Sequence, residues 1–228
     1  MSSRICVSIL PKNQKEALTL IARVEEANAD FIEVRLDRFE ETPDLKALVD
    51  ATKIRLIATI KLQNEKGSFC GTETQRMQIL LEAAENGFEY VDLDFFSSQR
   101  DETITKIKAL GAKPIVSYHK FDGVLPVSAL ERILDEQIAS GAFVCKIVLT
   151  AKQIEDNLPI LSFVSFASTK AKLVCFCMGE EGKTSRFLSP AFGAFFTFAS
   201  LEGGSKTAVG QMSIAEMKTA YKLLGIKP

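Results

Sequence analysis

Short apolar, β-branched segments alternate along the chain with longer segments whose apolar residues recur at helical spacing. The short segments predict seven strands and a weaker eighth, at Ile5–Leu10, Phe31–Leu36, Ile54–Ile60, Tyr90–Phe95, Pro114–Tyr118, Val144–Leu149, Leu173–Met178 and near Val209–Met212. The longer segments predict helices at Lys12–Asn28, Gln75–Asn86, Thr103–Leu110, Val127–Ser140, Ile154–Ala167, Pro190–Ala199 and Ser213–Leu224. Strands that alternate with helices indicate a parallel sheet with crossover helices.

The length of the chain suits a closed barrel built from these units. Eight strand–helix units of roughly 28 residues fill a chain of this size, near the usual size of a (β/α)8 barrel. The rival fold is an open doubly wound sheet, which commonly carries a Gly-rich turn after its first strand when it binds a dinucleotide. Here Pro11, Lys12 and Asn13 follow Leu10. We therefore predict a (β/α)8 TIM barrel, with residues 1–228 forming a single domain.

Composition and charge exclude several classes of protein. Hydrophobic residues make up 46% of the chain, which is too many for a disordered protein. The 28 Lys and Arg residues balance 29 Asp and Glu residues, so no basic field favours nucleic acid. Apolar runs are too short to span a membrane, and the first strand begins too early for a signal peptide. Five Cys without paired spacing indicate reduced thiols, so we expect a cytoplasmic protein.

Ionisable residues interrupt five predicted strands near the ends where barrel enzymes place their active sites. They are Glu33 and Arg35 on the second strand, Lys61 after the third, Asp92 and Asp94 on the fourth, His119 after the fifth and Lys146 within the sixth. A surface strand also alternates charged and apolar residues. Solvation does not explain five such strands, however, because the interior of a barrel is packed and dry. The pattern therefore predicts one shared polar site.

Three of the polar residues suggest specific chemistry, each with a simpler alternative. Burial among apolar neighbours favours the neutral amine of Lys146, a nucleophile that forms imines with ketones; a lysine at a strand edge would instead reach solvent. His119 is the only histidine and is either a structural residue or an acid–base group. Arg186 either offers a fork to a carboxylate or lies on the surface. A single histidine and the lack of Cys-x2-Cys spacing predict no metal site.

Together these residues resemble the type I 3-dehydroquinate dehydratases, the imine-forming enzymes of the shikimate pathway. The resemblance extends from about Arg4 to about Met217. It depends on the segments Glu33–Asp37, Ser117–Phe121, Cys145–Ile147, Met178–Arg186 and Gly210–Gln211. It implies a (β/α)8 barrel that removes water from 3-dehydroquinate to give 3-dehydroshikimate, without a metal or an organic cofactor.

The resemblance also assigns roles to individual residues. Lys146 would form the imine, and His119 would move the proton from the adjacent carbon to the departing hydroxyl. Glu33 and Arg35 would bind ring hydroxyls of the substrate, and Arg186 would bind its carboxylate. Thr207 and Gln211 would contact the substrate from a closing loop, and Met178 and Phe198 would line the pocket. Asp94 would orient His119, in place of the Glu that is usual in the family. Lys61 stands where the family usually has Arg.

Two other functions and several partners stay open at this point. One alternative is an imine-forming class I aldolase on the same barrel, although a phosphate site of Gly-rich backbone is not evident. The other is an inactive barrel that serves as a binding module. Among partners, the expectations are a homodimer, and fusion to or association with a shikimate dehydrogenase, which follows directly on one chain in some members of the family.

Overall fold

The computed structural model describes residues 3–203 and 210–226 of the chain. The strands are β1 (Ile5–Ile9), β2 (Phe31–Arg35), β3 (Arg55–Thr59), β4 (Tyr90–Asp94), β5 (Lys113–His119), β6 (Val144–Thr150), β7 (Leu173–Met178) and β8 (Thr197–Ala199). The α-helices are α1 (Gln14–Glu26), α2 (Leu45–Asp50), α3 (Glu73–Glu85), α4 (Arg100–Ala109), α5 (Val127–Ala139), α6 (Asn157–Ala167), α7 (Lys183–Leu188) and α8 (Ile214–Leu223). Short 3₁₀ helices follow β2, β3 and α7 and precede α6.

The strands form one parallel sheet in the order β7-β6-β5-β4-β3-β2-β1-β8. The two ends of this order meet where the Phe195 N–H donates to the Leu173 carbonyl at 2.7 Å. The sheet thus curls into a nearly closed (β/α)8 barrel, as predicted. Register across the pairs sets the polar residues close together: Ser8 lies opposite Glu33, and Ser117 lies opposite Lys146.

Apolar side chains fill two separate regions of the barrel. Alternate strand residues such as Phe31 and Tyr90, together with Phe196 just before β8, point inward and close the amino-terminal end with packed rings. The other strand residues face the surrounding helices and form the larger core with residues such as Ile21 and Leu80. Because the rings fill only the lower part, the polar residues occupy the upper part of the interior. The fold therefore opens its cavity at the carboxyl ends of the strands.

The last strand is where the sequence prediction is wrong. Residues 210–212 of the predicted strand near Val209–Met212 are not in a strand, Val209 lies outside the described residues, and the eighth strand is Thr197–Ala199. That strand lies inside the predicted helix Pro190–Ala199, of which only a 3₁₀ turn forms. The segment is apolar apart from Gly193 and Thr197, so its periodicity does not distinguish a strand from a buried helix. Pairing with β1 decides the outcome, because it completes the barrel.

The turn into β8 depends on Gly193, which has φ of 105°. A β-carbon at this position would lie 2.4 Å from Ser168 Oγ, so the turn has no room for a side chain. Helix α2 was not predicted, because six residues are too few for a clear helical period. Within residues 3–203 and 210–226, no helix has both the length and the apolar character needed to cross a membrane.

Candidate active site

A cavity of about 770 Å³ lies at the carboxyl ends of the strands. Most of the predicted site residues line it: Glu33, Arg35, Lys61, His119, Lys146, Met178, Arg186 and Phe198. Residues from β2, β3, β5, β6, β7 and β8 and from α7 thus converge on one space. The shared polar site that the sequence predicts is formed by the fold.

Two carboxylates and two ammonium groups form a buried network at the base of this cavity. Lys146 Nζ lies 2.9 Å from Asp92 and 3.5 Å from Glu33. Lys61 Nζ lies 2.9 Å from the other oxygen of Asp92. Hydroxyl groups complete the network: Ser117 donates to Asp92, and Ser8 and Thr59 donate to Glu33. Each buried charge therefore has an opposite charge and further hydrogen bonds, which buried ions require.

The network fixes the ionisation of its members. Burial opposes charge on Asp92, but Lys146 and Lys61 outweigh this effect and hold its pKa well below the usual range. Burial also opposes charge on Lys61, yet Asp92 and Glu65 raise its pKa to about 12. Asp92 is therefore a carboxylate at neutral pH and Lys61 an ammonium. The surroundings of Lys146 are consequently ionic as well as apolar: its Nζ also lies 4.5 Å from the centre of the Phe198 ring.

His119 ends β5 at the edge of the cavity. Burial, followed by the positive charges of Lys61 and Lys146, holds its pKa well below the ordinary value. The imidazole is thus neutral at pH 7 and can accept a proton. Its buried Nδ1 has no hydrogen-bond partner within the described chain. Phe121 stacks on the ring with a centroid separation of 6.2 Å.

Arg186 on α7 also lines the cavity. Its side chain is 3% exposed and lies over the Phe176 ring at 4.5 Å. Burial lowers its pKa to about 10, which still leaves the guanidinium charged at neutral pH. The Nε and Nη2 atoms are buried without a hydrogen-bond partner among the described residues. A buried guanidinium with unused donors is arranged to receive an anion from outside the chain.

Asp94 points away from the main cavity, into a second cavity that also borders His119. Glu65, Asp94 and His119 each bring a potential ligand atom within 4.8 Å of the other two, the spacing of a metal site or of proton-sharing groups. Burial first, and then the hydrogen bond and charge of Glu65, raise the pKa of Asp94 to about 7. Burial acts against the charge of Glu65, but Lys61 and the hydrogen bond with Asp94 lower its pKa. The two carboxyl groups thus share a proton beside the imidazole.

The remaining predicted residues have different positions. Gln211 is buried beside Gly210, which lines the cavity. Thr207 lies outside the described residues. Sequence reasoning included Asp92 in the shared polar site without giving it a role, and left Glu65 out. The alternation of Asp92 with Asp94 was a usable signal for Asp92, whereas Glu65 lies in a 3₁₀ turn, where residue spacing indicates no direction.

Comparison with known proteins identifies the family of this chain. The sequence matches the family model described as type I 3-dehydroquinase over residues 5–228. It is 33% identical over 223 residues to a 3-dehydroquinate dehydratase of Desulfotalea psychrophila, an alignment that covers 96% of this chain and 97% of that protein. This chain belongs to the type I 3-dehydroquinase family. The resemblance inferred from the sequence is confirmed.

Solved structures give the same fold for this type I 3-dehydroquinase. A 3-dehydroquinate dehydratase from Geobacillus kaustophilus superposes with a TM-score of 0.91 at 22% identity, covering 99% of this chain and 92% of that chain. A dehydroquinate dehydratase and shikimate dehydrogenase from S. pombe superposes with a TM-score of 0.79 at 22% identity, covering 100% of this chain but 45% of that chain. The second protein therefore extends well beyond the barrel.

The shared proton of Asp94 gives a testable pH dependence. An unfolded Asp releases its proton near pH 4, whereas folded Asp94 keeps it until about pH 7. Between these pH values the folded state binds more protons than the unfolded state does. The contribution of this group to the free energy of unfolding therefore falls as pH rises. Asp94→Asn removes this titrating group. The free energy of unfolding of the variant, relative to that of the native chain, should therefore be higher at about pH 8 than at about pH 5. Urea unfolding at both pH values measures the difference.

The control is Asp122→Asn, because Asp122 is exposed and its pKa is lowered by Lys120. That variant should keep the pH dependence of the native chain across this range. An Asp94→Asn variant with the native pH dependence would show that Asp94 does not retain its proton.

Proposed function

We propose that this chain removes water from 3-dehydroquinate to give 3-dehydroshikimate through an imine on Lys146. The observation that carries the proposal is the pairing, in one cavity, of a buried lysine with a buried arginine whose Nε and Nη2 donors are unused in the described chain. The lysine suits the substrate ketone, and the arginine suits its carboxylate. Family membership gives the same answer and disfavours the aldolase alternative.

The network around Lys146 supports each stage of imine chemistry. The amine must lose a proton to attack, and the carboxylates of Asp92 and Glu33 lie beside its nitrogen. The amine adds to the ketone, and the adduct loses water to form a positively charged imine. The same carboxylates then stabilise that charge. The iminium withdraws electrons from the adjacent carbon and so makes its proton acidic.

His119 completes the elimination in this proposal. A neutral imidazole takes the proton from the carbon next to the imine, and the electron pair of that bond forms the new double bond. The imidazolium gives its proton to the departing hydroxyl, which leaves as water. Hydrolysis of the imine then releases product and restores Lys146. Because the pKa of the imidazole is low, the ring is unprotonated at neutral pH and can accept the proton.

Other residues hold the substrate in the proposed complex. Arg186 binds the carboxylate, while Glu33 and Arg35 contact ring hydroxyls from the wall of β2. Met178 and Phe198 supply the apolar wall. Gln211 and Thr207, which lies outside the described residues, would add further substrate contacts, as the resemblance to the family implies. The family usually has Arg at the position of Lys61. Lys61 keeps the positive charge and forms an ion pair with Asp92.

Chemical trapping tests the role of Lys146. Incubation with 3-dehydroquinate followed by borohydride should leave one substrate-derived adduct on Lys146, because reduction makes the imine permanent. Peptide mass spectrometry locates the adduct, and the absorbance of the conjugated enone reports dehydration. Lys146→Met should abolish both signals, whereas Lys172→Met, which changes a lysine over the Phe143 ring at the other end of the barrel, should retain them. An adduct on Lys61, or none, would contradict the assignment.

A conservative substitution tests Arg186. Arg186→Lys keeps the charge but loses the bidentate fork, so KM should rise roughly tenfold or more, in line with about 1.5–3 kcal/mol for a hydrogen bond to a charged group. Steady-state kinetics measure the change. Arg55→Lys is the matched control, since Arg55 begins β3 at the opposite end of the barrel and faces Glu89. An unchanged KM in Arg186→Lys would place the carboxylate elsewhere.

We also propose a homodimer in the cytoplasm, and association or fusion with a shikimate dehydrogenase. Exposed apolar side chains around α6, including Leu158, Phe166 and Phe192, supply a face for the homodimer. Five unpaired thiols suit a reducing compartment. The S. pombe structure supports the dehydrogenase partner, because its name contains both activities.

Sedimentation velocity tests the homodimer. The native chain should sediment at about twice its 25.1 kDa mass, and Leu158→Glu should shift it toward the monomer by placing charge in the contact. Leu223→Glu, which changes an apolar residue that is 82% exposed on α8, should leave the native mass unchanged. A monomeric native chain would refute the homodimer.

A further inference from the structure

The second cavity, of about 470 Å³, lies behind His119 and is lined in part by helix α3. Its wall includes Glu65, Asp94 and His119, together with Arg76 and Glu73 from the first turns of that helix. Neither Arg76 nor Glu73 lines the substrate cavity. This arrangement links a helix that does not line the main cavity to the imidazole and to Glu65, which line both cavities.

Arg76 has a role in this wall that packing alone does not explain. It is 2% exposed, and arginine is seldom buried to this extent unless it is paired. One end of its guanidinium donates to Glu73 at 2.8 Å, and the other donates to Glu65 at 3.1 Å. Glu73 is held in turn by the Ser97 hydroxyl. The guanidinium is therefore anchored on one side and offers its other side to Glu65.

Glu65 is fixed from several directions as a result. Its Oε2 accepts from Arg76 and from the Leu62 N–H at 3.3 Å, and its Oε1 faces Lys61 at 3.5 Å. Asp94 shares its proton, and His119 lies within the same 4.8 Å cluster. Without Arg76, the contacts to Lys61, to the Leu62 N–H and to Asp94 would remain. A Glu side chain with several rotatable bonds would then turn away from the imidazole more easily.

We propose that Arg76 is a positioning residue for proton transfer: it holds the Glu65 carboxylate against Asp94 and His119 from outside the substrate cavity. A carboxylate held beside an imidazole stabilises the imidazolium that forms when His119 accepts a proton. Fixing that carboxylate in advance avoids reorganisation during the reaction. The kinetic part of this inference depends on the proposed function, but the state of the imidazole does not.

His119 is the only histidine in the chain, so its titration can be followed as a single imidazole signal. We expect Arg76→Gln to move the titration midpoint of ¹⁵N-labelled, untagged protein downward, by up to about 1 pH unit, because the imidazolium loses its held carboxylate. The charged groups that act on the imidazole and on Glu65 are Arg35, Lys61, Arg76, Asp92, Asp94 and Lys146, with Glu73 held against Arg76. All except Arg76 are retained in the variant.

A double variant separates positioning from other effects of Arg76. If Arg76 acts through Glu65, Arg76→Gln should have no further effect on the midpoint in a Glu65→Gln background. Arg76→Lys, which keeps one charged donor, should restore part of the native midpoint. Should Arg76→Gln not fold, Arg76→Lys and Glu73→Gln, which loosens the anchored side of the guanidinium, should both give a smaller downward shift.

Two results would overturn the proposal. A rise in the midpoint would mean that Arg76 acts only through its own positive charge, since removing a cation favours the imidazolium. An unchanged midpoint with a lower free energy of unfolding would mean that Arg76 only stabilises the fold.

Kinetics give a separate measurement. We expect Arg76→Gln to lower kcat about tenfold and to leave KM within about twofold of the native value. The loss is part of the roughly 10²–10⁴-fold rate increase that acid–base catalysis contributes. Arg100→Gln is the control, because Arg100 is a mostly buried arginine of α4 that binds Asp101 and Glu136 and lines neither cavity. A rise in KM with native kcat would contradict positioning. A native chain that forms no enone would refute the proposed function, and the titration would then decide the role of Arg76 by itself.

Discussion

The pairing of two carboxylates with two ammonium groups inside the barrel is the interaction on which the site depends. A lysine in the wall of a packed barrel is costly unless opposite charges neutralise it. Asp92 touches both Lys146 and Lys61, and Glu33 lies beside Lys146. These contacts make a buried amine compatible with a folded chain. They also leave that amine at the base of an open cavity, where a substrate can reach it.

The same charges shape the groups around them. The positive charges of Lys61 and Lys146 add to burial in keeping His119 neutral. Asp94 and Glu65 share one proton beside the imidazole, in a second cavity that His119 and Glu65 both border. Arg186 stands apart from this balance, with buried donors unused in the described chain. The cavity therefore combines a network of compensated charges with a guanidinium that has no anionic partner among the described residues.

Particular residues show how far sequence reasoning extends. Period-two alternation in β2 and the position of Lys146 in β6 directed these side chains inward correctly, because strand geometry fixes direction over a few residues. The eighth strand was misplaced, because Ala194–Ala199 is apolar except at Thr197 and pairing with β1 decides its form. Glu65 was missed for another reason. It lies in a 3₁₀ turn, and its approach to His119 depends on Arg76 of a helix that follows it.

The sequence by itself determined the alternation of strands and helices, the barrel that this alternation favours, and the residue types that converge at its carboxyl ends. Those features follow from local periodicity and from the common direction of parallel strands. Only the tertiary structure decided which charge meets which: Asp92 with both lysines, Asp94 with Glu65 beside the imidazole, and Arg186 with the Phe176 ring. Such pairings join residues far apart in the chain, and barrel closure and register set their distances, which no local pattern encodes.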